Sequence, residues 1–340
     1  MAAEYAPEIV DDLQSMVARG LYRWALPSNT TIVLLNLSEN ATFALSDPDA
    51  KREMVLRVHR VGYCSAAEIR SELQWINALR RAGAIETAAP LTGSDGELVQ
   101  LLESPAGRAP RYAVAFERLP GHAPDTSHDG VHWFERLGEL TAKMHRHSRS
   151  WNPPADFYRK RWDLDAMVGT TSYWGSWRAA IGLNSAGAAL LERALALIQQ
   201  RLTRFGDGPE RFGLVHADLR LANLLVDGVH MRIIDFDDCG FSWFIYDFAT
   251  AVSFIEHEPM LPDLLQAWTI GYGRIAPLST AEREEIPTFV ALRRILLTAW
   301  LASHSEVPFA RQFGAAYTDG TVRLSQQLLS GQFLTGICRS

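Results

Sequence analysis

The chain has little cysteine, no excess of positive charge and no uninterrupted apolar run of bilayer length, and each shortage closes off a class of protein. Its three cysteines, Cys64, Cys239 and Cys338, cannot all pair and stand at no spacing that zinc sites use, so neither a disulfide framework nor a structural zinc is expected. Lys and Arg number 33 against 39 Asp and Glu, a net charge of −6. That balance argues against nucleic acid or another polyanion held by charge alone. The longest apolar stretches, residues 241–255 and 295–302, are interrupted by Asp247 or too short to cross hydrocarbon. Residues 1–10 carry no basic-then-apolar signal. Without secretion, the glycosylation triplets at Asn29 and Asn40 are accidental. No repeat, heptad run or low-complexity tract is present. The expectation is a cytoplasmic protein with neither nucleic acid nor membrane as partner, its oligomeric state unknown.

What is there is a chain of 340 residues, 47% hydrophobic, enough for a sizeable core and for two lobes. Residues 6–22 space their apolar side chains as a helix does. Three β-branched and apolar runs follow, at residues 31–37, 41–45 and 54–59, then an amphipathic helix over 66–82 with Ile69, Leu73, Ile76 and Leu79 on one face. Strands near 97–102 and 112–118 complete a five-stranded antiparallel lobe, and Pro120-Gly121 breaks the pattern, giving lobes at 1–119 and 120–340. The second lobe reads as mainly helical, with helices over 131–146, 183–202, 260–272 and 286–303, Pro287 suiting a first turn. Arg293 and Arg294 fall inside the apolar pattern of the last, where one is expected to snorkel or to meet an acid.

Between these helices lies the most informative stretch, His216-Ala217-Asp218-Leu219-Arg220-Leu221-Ala222-Asn223. Phe212 to Val215 leads into it, and two short strands joined by a turn at Asp227-Gly228 lead from it to Asp235. Asp218 and Asn223 therefore fall on a loop and Asp235 just past a strand end. Singly, such residues are ordinary turn and cap formers. In this order they match the kinase catalytic loop and its metal-binding Asp. Asp218 is the candidate base for a hydroxyl proton, Arg220 a fixed cation for the transferring phosphate, and Asn223 with Asp235 the oxygen ligands of Mg²⁺.

This run, together with Asp235-Phe236-Asp237-Asp238 and Tyr246-Asp247-Phe248-Ala249, resembles the aminoglycoside phosphotransferase and choline kinase superfamily, and within it the branch labelled homoserine kinase type II or stress-response kinase. The resemblance spans nearly the whole chain, with its specific motifs in the C-terminal half. It implies an α+β, protein-kinase-like bilobal fold, ATP and Mg²⁺ as cosubstrate and cofactor, and structural roles for His216 and for Asp247, which would brace the catalytic loop from the next helix. In the first lobe, Arg57 falls where protein kinases keep a phosphate-contacting Lys, with Glu72 as its partner. Ser38-Glu39-Asn40 stands in place of a glycine-rich phosphate loop, Ser38 and Asn40 being the candidates, although a plain hairpin turn also explains it. Phe116, Glu117 and Arg118 are expected to form the hinge that reads adenine through the main chain.

For the acceptor, Asp237, Asp238 and Trp174 are candidates, the two acids suiting a second Mg²⁺ or a substrate ammonium, with Glu256, Glu258 and the basic run Arg159 to Arg161 open to charged groups or equally to solvent. Three readings follow. The first is transfer of phosphate from ATP to a hydroxyl of a small metabolite, such as homoserine or another amino alcohol. The second is a protein Ser/Thr kinase, against which stands the lack of room for an activation loop between Asp235 and a helix near Ile245. The third is a non-catalytic nucleotide-binding protein, against which stand the intact Asp218, Asn223 and Asp235.

Overall fold

The computed structural model describes residues 7–305 and 308–334. Residue 6 of the first expected helix and Cys338 lie outside that range. By contacts the chain divides into two compact units, Met1–Pro120 with Pro153–Arg159, and Gly121–Asn152 with Lys160–Ser340.

The first unit opens with helix α1 (Pro7–Gly20), prolonged by a 3₁₀ turn at Leu21–Trp24. Its sheet contains β1 (Thr31–Leu37), β2 (Ala41–Asp47), β3 (Arg52–Val58), β4 (Pro90–Leu91), β5 (Gln100–Leu102) and β6 (Arg111–Glu117). The order is β1-β2-β3-β6-β4, β5 also pairs with β6, and all pairings are antiparallel. The sheet thus has six strands, not the expected five. The extra one, β4, has only two residues and begins with a proline that cannot donate to a ladder, so it shows no alternation to read. Phe43, Leu45, Met54, Leu56 and Ala115 form the core of the unit with Leu13, Met16, Val17 and Trp24. Helix α2 (Ala66–Arg81) starts on a capping box in which Ser65 and Glu68 satisfy each other's backbone amides, and it buries the predicted face.

The second unit holds α3 (Thr126–Ser150), α4 (Leu164–Val168), α5 (Ser185–Phe205), α6 (Tyr246–Ala251), α7 (Leu261–Gly273), α8 (Thr280–Ser303) and α9 (Pro308–Leu329). Between α5 and α6 run β7 (Phe212–Val215), β8 (Leu224–Asp227), β9 (His230–Ile233) and β10 (Gly240–Trp243), paired as β10-β7 and β8-β9. Helices α3 and α7 touch backbone to backbone. A Cβ on Gly138 would strike the Trp268 carbonyl, and one on Gly271 the Glu135 carbonyl, so glycine sets their spacing.

Two expectations for the helices are corrected. Helix α8 begins at Thr280, on a Ser279–Glu282 capping box, so Pro287 lies inside it and not in its first turn. The polar opening turns carry no apolar periodicity, which is why the helix read as starting later. Helix α9 was not expected, since Gly314 at φ 44 breaks it and its periodicity. By length and composition α8 is long and apolar enough to cross a membrane, but 89% of that window is buried inside the fold, as in a core helix.

Candidate active site

Burial of Phe212, Leu214 and Val215 anchors β7 in the second unit, and the chain then turns sharply. Ala217 takes φ 65, a left-handed conformation uncommon for a residue with a Cβ. The turn is held from α6. Asp247 accepts the amide of His216 at 3.1 Å and that of Ala217 at 2.7 Å. Thr250 accepts the amide of Leu219 at 2.9 Å and donates its hydroxyl to the Asp247 carbonyl. The fully buried Asp247 carboxylate meets His145 Nε2 at 2.9 Å, and His145 Nδ1 lies 2.9 Å from the Tyr272 hydroxyl. Burial pushes the His145 pKa down against the opposing pull of Asp247. A neutral ring donating from Nε2 accepts the Tyr272 proton at Nδ1. The close α3–α7 packing brings that pair together. Helix α3 runs past the expected end at residue 146 to Ser150 and buries His145 within it.

His216 links the loop to the strand that follows. Its Nδ1 accepts the Asp218 amide at 3.2 Å, its Nε2 donates to the Ile234 carbonyl at 3.1 Å, and its ring packs on Phe236. Asp218 is held by three donors. Arg293 Nη2 reaches Oδ1 at 2.7 Å, while Arg220 Nε at 3.1 Å and Asn223 Nδ2 at 2.8 Å reach Oδ2. Burial pushes the Asp218 carboxyl up, but Arg220, Arg293, His216 and Asn223 outweigh it and hold it below its ordinary value. The side chain stays an ionised acceptor, 14% exposed.

Asn223 also donates Nδ2 to the Asp218 carbonyl at 2.8 Å. Both bonds use its nitrogen, which turns Oδ1 away from Asp218. Its backbone carbonyl accepts the amide of Ile234 at 2.9 Å, so Asn223 and Asp235 sit at the same end of the β8–β9 hairpin. Asp235 is exposed and takes φ 63, which Asp tolerates better than most residues. Among the described residues no three His, Cys, Asp or Glu side chains gather into a metal cage. An amide oxygen with one carboxylate nonetheless suits Mg²⁺, which commonly takes one or two carboxylates and completes its shell with phosphate and water.

The acceptor candidates divide. The Asp238 carboxylate faces Lys160 Nζ at 3.7 Å, and its carbonyl accepts Trp162 Nε1 at 2.7 Å. Asp237 is buried. Trp174 packs edge-on against Trp162, and the Arg293 guanidinium lies 5.0 Å from its ring centre. Glu256 is neither pocket wall nor solvated surface. It is buried in an ion pair with Arg294 at 2.6 Å and accepts the Tyr317 hydroxyl at 3.1 Å. Of the basic run, Arg159 donates to the Glu68 carbonyl within the first unit, and Arg161 pairs with Asp163 and Asp207.

In the first unit Arg57 on β3 and Glu72 on α2 form a buried pair at 2.5 Å, with the Arg57 guanidinium 5.2 Å from the Phe116 ring centre. The Ser38 amide donates to the Asn40 carbonyl, and Asn40 Oδ1 accepts the amide of Arg60, which makes the turn a braced hairpin. Phe116 and Glu117 are paired within β6, and the Glu117 amide donates to Ala89. That amide is therefore engaged in the sheet, and of the expected hinge only Arg118, paired with Glu53, lies beyond the strand.

Sequence reading missed His145 and Thr250 as loop braces and left open which of Arg293 and Arg294 meets an acid. Both do, and Arg293 is the one on Asp218.

The small antiparallel sheet, the helical second unit and the braced His-x-Asp loop define a kinase of protein-kinase-like fold. The chain belongs to the phosphotransferase enzyme family, which it matches over residues 31–278. It is 26% identical over 255 residues to amicoumacin kinase of Bacillus subtilis (strain 168), covering 72% of each chain. Among solved structures it resembles a microcompartment-associated aminopropanol kinase at 39% identity and a TM-score of 0.87, covering 94% of this chain and 98% of that one. It also superposes on amicoumacin kinase hAmiN, solved with AMP-PNP, Ca²⁺ and Ami, at 21% identity and a TM-score of 0.76, covering 98% and 96% of the two chains.

Proposed function

We propose that this kinase transfers the γ-phosphate of ATP to the hydroxyl of a small amino alcohol. The observation that carries the reading is the Asp218 carboxylate, ionised and fixed by three donors on a loop that Asp247 braces. In phosphoryl transfer the protein's main task is to position the groups and neutralise charge, and a preset carboxylate fits that task. In this reading Asp218 orients the acceptor hydroxyl and takes its proton as the oxygen attacks phosphorus. Arg220, paired with Asp218 and 24% exposed at its side chain, is the proposed cation for the transferring group. Asn223 and Asp235 would hold Mg²⁺, which when bound neutralises the polyphosphate. Arg57, kept in place by Glu72, is the proposed phosphate contact of the first unit.

The likeness to an aminopropanol kinase supports an amino alcohol. Asp238, which also faces Lys160, is the proposed acid for its ammonium group. The test is ATP consumption by purified enzyme with Mg²⁺ across aminopropanol isomers, ethanolamine, choline, homoserine, an aminosugar and a generic protein. Turnover is expected with a short amino alcohol and not with protein. Turnover only with protein, or only with the aminosugar, would reject the proposal.

A further inference from the structure

Three donors on one carboxylate leave little room for the proton that a base must accept. A carboxylate oxygen offers two in-plane lone pairs. Among the described residues, Oδ2 of Asp218 already receives Arg220 Nε and Asn223 Nδ2, whereas Oδ1 receives Arg293 Nη2 alone. By that count the acceptor hydroxyl must approach Oδ1, beside Arg293. The arginine is itself immobilised. It is 2% exposed at its side chain, its Nε donates to Ser253 Oγ at 3.1 Å, its Nη1 to the Tyr246 hydroxyl at 3.3 Å, and its planar group lies against Trp174. Each nitrogen of the fork therefore has one partner. These contacts satisfy donors that burial would otherwise leave unpaired and, in doing so, fix the plane of the group.

Resting on the function proposed above, we propose that Arg293 is the positioning residue of the reaction: from α8 it fixes the rotation of the Asp218 carboxylate so that Oδ1 presents its open lone pair to the acceptor hydroxyl. The guanidinium bridges three partners, Nη2 on the base and Nη1 and Nε on α6 and the turn after it, so lysine can replace only part of it. Ser253 acts solely through Arg293.

The experiment measures kcat and KM with ATP and aminopropanol for Arg293→Gln, Arg293→Lys, Ser253→Ala and the Ser253→Ala/Arg293→Gln double variant, alongside thermal melts. Arg293→Gln is expected to lower kcat by roughly 10²-fold, the scale of a misplaced reacting group, with both KM values within about threefold of wild type. Arg293→Lys should recover part of the loss. Ser253→Ala should lower kcat several-fold in the wild-type background and have no further effect on Arg293→Gln, the coupling expected of residues acting through one another. If Arg293→Gln does not fold, the lysine and serine variants carry the test. An unchanged kcat in Ser253→Ala and Arg293→Lys, losses confined to KM, or a serine effect equal in both backgrounds would overturn the proposal. Wild type with no acceptor-dependent turnover would instead defeat the parent reading.

Discussion

At the scale of single residues, two of the six non-glycine positions with positive φ among the described residues adjoin proposed chemistry. Ala217 and Asp235 have φ of 65 and 63, at a cost of roughly 1–3 kcal/mol each unless the surroundings impose the conformation. For Ala217 they do, since its amide is bonded to the Asp247 carboxylate. For Asp235 the reward lies in placing its side chain at the same hairpin end as Asn223. Replacing Asp235 by Asn keeps the shape and the tolerance of left-handed backbone but removes the charge. It should weaken Mg²⁺-dependent nucleotide binding about tenfold or more, as loss of one of two proposed protein ligands would, with little change in melting temperature. Titration calorimetry with and without Mg²⁺ checks this, and an unchanged Mg²⁺-dependent affinity would reject Asp235 as a ligand.

At the scale of elements, what could be read in the sequence was what is local. His216 to Asn223 and Asp235 are joined by a hairpin whose strands and turn are written in adjacent residues. The braces come from afar: His145 reaches Asp247 across 102 positions and Arg293 reaches Asp218 across 75. Spacing carries no signal at such separations, and two arginines inside an apolar helix pointed only to one of them snorkelling or meeting an acid. The capping box at Ser279 was also legible, but apolar periodicity begins only turns later. The α3–α7 pair makes a separate prediction. The unfolded His145 takes up a proton as pH drops through about 6.5, whereas burial holds the folded ring to a lower value. The unfolded state thus binds more protons over that window, and stability falls as pH falls. Wild type should lose melting temperature between about pH 6.5 and 5 more steeply than His145→Gln. Parallel slopes in thermal melts would show that His145 contributes nothing to the acid side.

At the scale of the molecule, each compact unit carries its own part of the proposed reaction. The first holds a buried Arg57–Glu72 pair beside Phe116. The second holds the braced loop, which α8 ties in through Arg293 to Asp218, and α8 also pairs Arg294 with Glu256, which meets Tyr317 on α9. That second pair is fully internal, so removing either partner would leave a charge without its counterion, a loss of about 3–5 kcal/mol in comparable buried pairs. It accounts for charges that sequence alone had offered to the acceptor. The role of Asp218, the acid that Arg293 holds, is tested most directly by Asp218→Asn, which keeps the volume and removes the base. Acceptor-dependent ATP turnover should fall by roughly 10²–10⁴-fold while ATP affinity measured by calorimetry stays within about threefold of wild type. Turnover by Asp218→Asn equal to wild type, at the same acceptor concentration, would contradict the account.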